Sequence, residues 1–199
     1  MAAMYAVYHG PNGLRQIAAK VHGLTYILKE MITSLNGSPY TITNTNFFDT
    51  LTIKVDSSVG ADILHAQAEE AKINLRRVSD GVIGVTLDES VGLVDLLKLA
   101  NVFVKAAGQE KKSAEELISA GAGLKVKEGE VSFLPEEFRR TSKFMTHPVF
   151  NTHHSETEML RYIYHLQSKD LSLVHAMIPL GSCTFYVFHP PSKPFRGRR

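Results

Sequence analysis

From Leu14 to Leu35 the apolar residues Leu14, Ile17, Ala18, Val21, Leu24, Leu28, Met31, Ile32 and Leu35 recur at helical spacing, and "NGSP" follows as a stop. A single stripe of this kind predicts a long amphipathic helix. "FFDTLTIKV" alternates β-branched or aromatic residues with polar ones and predicts a strand. Asp56, Ser57 and Ser58 are cap candidates for a helix running to about Lys72, with Val59, Ile63 and Ala66 or Ala71 turned inward. "NLRRVS", then Asp80-Gly81, then "VIGVTLD" gives two strand-like runs joined by a turn that tolerates positive φ, which predicts a β-hairpin. Asp88 can cap one more helix, striped by Leu93, Leu97, Ala100 and Val104.

The order helix, strand, helix, hairpin, helix predicts an α+β layer, with helices on one face of a mostly antiparallel sheet and an end near Gly108. "GQEKKS" is a polar break, Ser113 and Glu116 form a capping box for a short helix, and "GAGLKVKEGE" is loop-like. From Pro135 to Thr152 the chain is punctuated by proline, rich in aromatic and basic residues and aperiodic, which predicts an arm lying on something else. A second capping box, Ser155 to Glu158, opens a helix with Met159, Tyr162, Ile163 and Leu166 on one side. No internal repeat or low-complexity tract is evident.

Composition narrows the class without naming a function. The 199 residues suffice for one well-buried domain, or a domain with a docking arm. A hydrophobic share of 44% and a charged share of 21% exclude global disorder and a fibrous class. The net charge of +2 owes much to Lys193, Arg196, Arg198 and Arg199, so no basic face for nucleic acid is implied. No apolar run approaches the ~20 residues that span a bilayer, so no membrane partner is expected. One cysteine permits no internal disulfide and fits a reducing compartment. The start, "MAAMYAVYHG", has no basic segment ahead of its apolar residues and is expected to carry no targeting signal.

Candidate chemistry is sparse. His147, His153, His154, His165 and His175 lie close in sequence, but adjacent His153 and His154 do not converge easily on one ion and no His-Glu-x-x-His helix is present. No metal site is expected. Cys183 needs a neighbouring base to act as a nucleophile, and a lone cysteine is usually inert packing. The turn around Gly181, Ser182 and Thr184 reads better as an anion cradle, although Ser and Thr after Gly also serve any turn. Arg139, Arg140 and Lys143 bind an anion or simply solvate a loop. Neither a Walker nor a dinucleotide glycine loop occurs.

Seven segments taken together, "MAAMYAVYHGPNGL", "FFDTL", "INLR", "SDGVIGVTLDE", "RRTSKFMTHPVFN", "HSETEMLRYI" and "KDLSLVHAMIPLGSCT", resemble the P-protein of the glycine cleavage system. They run in order over residues 1–184. The resemblance implies a pyridoxal-phosphate-dependent glycine decarboxylase, whose cofactor is the electron sink for loss of carbon dioxide. It also implies transfer of the remaining aminomethyl group to the lipoyl arm of the H-protein. Partners are then the H-protein and the other P-protein half or chain, and the compartment in eukaryotes is the mitochondrion.

By resemblance, residues 1–110 are the small C-terminal domain of an aminotransferase-like (pyridoxal-phosphate fold type I) half, 111–152 a linker and crossing arm, and 153–184 the start of the C-terminal half. Ser182, Cys183 and Thr184, with His154, Ser155 and Glu156, are implied to lie in the active-site region. The family continues after "SCT" with Met-Lys-Leu-Asn, whereas "FYVFHPPSKPFRGRR" follows here, so 185–199 is expected to be an aberrant disordered tail and the chain a fragment. The family's cofactor lysine follows a histidine, and no His-Lys pair occurs in this sequence. The fragment is therefore expected to hold no cofactor covalently and to be inactive alone. The alternative is a non-catalytic α+β assembly module that binds another P-protein chain.

Overall fold

The computed structural model describes residues 1–35, 37–110, 134–172, 175 and 177. The chain divides into two compact units, Arg15–Arg140 and Met1–Leu14 with Thr141–Arg199. The expected helix at Ser113, the Gly181 turn with Ser182, Cys183 and Thr184, and the 185–199 tail lie outside the described residues.

Helix α1 is Ala2–Thr33 and contributes to both units. It begins twelve residues ahead of the Leu14 expected from the stripe, because "AAMYAVYH" is itself helix-forming. Gly10 interrupts it at φ 61, ψ −177. Pro11 then opens the second stretch, where its missing N–H costs nothing and its ring is preorganised for a helix.

In the Arg15–Arg140 unit, strands β1 (Tyr40–Ile42), β2 (Thr50–Val55), β3 (Arg76–Ser79) and β4 (Val82–Thr86) form one antiparallel sheet in the order β1-β2-β4-β3. β1 had no signal in the sequence, since three residues are too few to show a period. Leu51 pairs with Val85 and Ile53 with Ile83, so these four share one face and are all buried. The alternate pairs, Thr50 with Thr86 and Lys54 with Val82, carry the other face. Leu28, Met31 and Ile32 at the C-terminal end of α1, with Leu35 just beyond it, join the first set in one core with α2 (Ala61–Glu70) and α3 (Leu93–Ala106). The α+β class is thus observed. The hairpin is also present, with Gly81 at φ 75 and an irregularity in register between Arg77 and Ser79.

Both internal helix starts differ from expectation for one reason. Asp56 and Asp88 do not cap helices; each carboxylate accepts the backbone N–H two residues on, from Ser58 at 2.9 Å and from Ser90 at 2.8 Å. Val59 N–H then donates to the Asp56 carbonyl and Val91 N–H to that of Asp88, and the helices begin after Gly60 and Gly92. The two segments read Asp-x-Ser-Val-Gly alike. An aspartate satisfied inside its own turn is not available as a cap.

The later start of α2 rotates its face. Leu64 is fully buried with Ala61 and Ala68, whereas Ile63, expected inward, is 53% exposed. In α3, Leu96, Ala100 and Phe103 line the core and Leu93 is exposed.

In the other unit, 3-10 turns at Pro148–Asn151 and helix α4 (Glu156–Gln167) accompany the first stretch of α1. Ser155 caps α4 as expected, its hydroxyl oxygen accepting from Glu158 N–H at 3.2 Å. Met159 is buried and Tyr162 half-buried, but Ile163 and Leu166, expected inward, are exposed.

Candidate functional site

Within the unit that contains α4, the segment from Met145 to Glu156 is pinned by its own polar side chains. His147 Nδ1 accepts from Val149 N–H, Asn151 Nδ2 donates to the carbonyls of Met145 and His147, and the Thr152 hydroxyl donates to the Pro148 carbonyl. These bonds fix a stretch whose regular structure is a single 3-10 turn, Pro148–Asn151, and His153 and His154 follow it ahead of the Ser155 cap.

The two adjacent histidines have separate surroundings. His153 stacks on Tyr162, ring centroids 4.4 Å apart and planes 15° from parallel. Its Nδ1 is buried without a hydrogen-bond partner among the described residues. His154 instead sets Nδ1 2.8 Å from the carbonyl oxygen of Tyr8. On the same stretch of α1, Tyr5 and Tyr8 pack on His9, with centroids 4.3 Å and 5.3 Å away.

His154 offers an imidazole, Ser155 a hydroxyl whose oxygen already accepts an amide, and Glu156 an exposed carboxylate in the first turn of α4. A carboxylate there complements the positive end of the helix. The Glu156 carboxylate only accepts, whereas the Ser155 hydroxyl keeps its O–H to donate, so the carboxylate suits a ligand that donates N–H or O–H. The set does not fit a phosphate, because Glu156 and Glu158 repel an anion from the same turn. The first turn of α4 is therefore a poor place for the phosphate of pyridoxal phosphate.

Of the remaining candidates, His147 serves as an N-cap and His165 sits in the last turn of α4. Among the described residues no three His, Cys, Asp or Glu side chains gather as a metal site. Arg139 Nε donates to the Leu134 carbonyl, while Arg140 and Lys143 are exposed. In the Arg15–Arg140 unit, a groove of about 340 Å³ lies against α2 and α3, lined by Gln67, Glu70, Lys98, Asn101 and Lys105. An ion pair of 2.8 Å joins Lys105 to Glu70 there.

Sequence reasoning did not single out Tyr8 or Gly10, the residues against which His154 is placed. The available signal was the Gly-Pro dipeptide, which marks a break but not what approaches it.

The family model for the glycine cleavage system P-protein matches residues 1–103. The chain is 47% identical over 188 residues to a putative mitochondrial glycine dehydrogenase (decarboxylating) of Schizosaccharomyces pombe. It is 46% identical over 184 residues to the glycine dehydrogenase (decarboxylating) of Aliivibrio salmonicida, and 45% identical over 184 residues to that of Vibrio cholerae. Each match covers 92% of this chain and 18% of the relative, so the chain spans less than a fifth of the length of the curated relatives it matches. A family model matching more than half of the chain, with relatives of 46–47% identity over 92% of it, shows that the chain belongs to the glycine cleavage system P-protein family.

Proposed function

We propose that the chain is part of a glycine decarboxylase, the enzyme that removes carbon dioxide from glycine and passes the aminomethyl group to the lipoyl arm of the H-protein. The observation that carries this is the identity of 45–47% over 92% of the chain to glycine dehydrogenases (decarboxylating). Residues 1–110 are the small domain of an aminotransferase-like half, 111–152 a linker and arm, and 153–184 the opening of the second half. The antiparallel sheet with helices on one face supports the first of these assignments.

His154, Ser155 and Glu156 belong to the active-site region of the complete protein, with Ser182, Cys183 and Thr184. The Glu156 carboxylate beside His154 supports a role toward the amino group of glycine rather than toward the cofactor phosphate. Pyridoxal phosphate is the cofactor of the complete protein, and its lysine lies outside this sequence, which has no His-Lys pair. The other P-protein half or chain supplies the missing groups. The compartment is mitochondrial in a eukaryotic source, as the S. pombe relative's description states for that protein.

The test is titration of the chain with pyridoxal phosphate, followed by visible absorbance and then by addition of glycine. Weak absorbance from scattered surface lysines, unchanged by glycine, is expected. A saturable one-to-one aldimine band that glycine converts would overturn the assignment of the cofactor site to the rest of the protein.

A further inference from the structure

We propose that Tyr8 and Gly10 are positioning residues for His154, holding its imidazole in the Nδ1–H tautomer so that Nε2 is a fixed proton acceptor. A carbonyl oxygen has no proton to give, so the 2.8 Å contact with Tyr8 requires the proton on Nδ1. In the neutral ring the lone pair is then on Nε2. Among the described residues Nε2 makes no hydrogen bond.

Gly10 supplies the space. A Cβ added there would stand 2.5 Å from His154 Cε1, 3.3 Å from its Nε2 and 2.7 Å from the Phe150 carbonyl oxygen. The imidazole thus lies where a side chain would be. Independently, φ 61 with ψ −177 at Gly10 is backbone that only glycine adopts without strain. A steric and a conformational demand for glycine therefore coincide at the residue the ring covers.

His153 cannot substitute, because its ring is stacked on Tyr162. The ligand that Nε2 takes carries an N–H or O–H donor, such as an ammonium or a hydroxyl. Its meaning for glycine chemistry rests on the proposed function; the tautomer does not.

The test is two-bond proton–nitrogen correlation NMR of the whole chain with nitrogen-labelled histidine, at about pH 9, above the ordinary imidazole range. His154→Gln assigns the signals by their loss. The wild-type chain is expected to show one Nδ1–H pattern for His154, and Gly10→Ala to convert it to a tautomer mixture as the ring leaves the Tyr8 carbonyl. An Nε2–H pattern in the wild type overturns the proposal, as does a Gly10→Ala spectrum identical to wild type. If Gly10→Ala does not fold, the wild-type pattern alone decides. Either failure leaves the family activity untouched, and loss of that activity would leave this spectrum unchanged.

Discussion

Replacing Tyr40 by Phe removes one oxygen from the core and nothing else. The Tyr40 hydroxyl, buried on β1, donates to the Phe103 carbonyl of α3 at 2.7 Å, and the two rings meet edge to face with centroids 5.1 Å apart. Phenylalanine keeps that ring contact. The Phe103 carbonyl also keeps the Ala107 N–H at 3.0 Å, so it is not orphaned. What remains is the net value of one neutral hydrogen bond, and Tyr40→Phe is expected to destabilise by about 1 kcal/mol at neutral pH. The pH dependence adds a second arm. Burial pushes the Tyr40 phenol well above its ordinary range, so the folded chain holds a proton that the unfolded chain releases from about pH 10 upward. This stability is present below the unfolded pKa and is lost as pH rises beyond it. Urea denaturation followed by far-ultraviolet circular dichroism at neutral and alkaline pH should show the wild-type advantage shrinking above about pH 10. No difference at neutral pH, or one that grows in alkali, would refute the reasoning.

Leu64→Ala should cost about 2–5 kcal/mol by opening the core, while Ile63→Ala should stay within about 0.5 kcal/mol; equal midpoints in urea would place the face of α2 wrongly. Hydrogen bonds from Ser58 and Ser90 hold the Asp56 and Asp88 carboxyls below the usual range, so their contribution is present above the unfolded pKa and lost as pH falls through the folded one. Asp88→Asn should accordingly lose less stability on acidification than the wild type, by a small margin because the turn is exposed, and an equal slope would contradict the turn. Ser155→Ala should cost α4 about 1 kcal/mol, seen as faster amide exchange at 157–159 with no change in β2 or β4.

The sequence revealed elements better than their edges. A sustained stripe located the body of α1, and Asp80-Gly81 located the hairpin, because each signal spans or fixes the element it names. The starts of α2 and α3 were misplaced because an aspartate before a helix looks the same whether it caps the helix or closes a turn ahead of it. The distinguishing sign was the repeated Asp-x-Ser-Val-Gly, visible only when both copies are compared. Shifting the start moved the buried position from Ile63 to Leu64, since a helix face depends on where the first turn begins. At the site, His154, Ser155 and Glu156 came from resemblance, and the cap on Ser155 from spacing. The contact of His154 with Tyr8 joins residues 146 positions apart, which no local pattern encodes.

The central proposal is that this chain works as part of a glycine decarboxylase. The direct measurement replaces the aligned segment of the V. cholerae glycine dehydrogenase (decarboxylating) with residues 1–184 of this chain. The chimera is assayed for exchange of labelled bicarbonate into glycine, with lipoylated H-protein and pyridoxal phosphate present. Exchange well above that of a chimera-free control is predicted, with none from the 199-residue chain alone. A folded chimera that binds the cofactor yet exchanges no label would contradict the account.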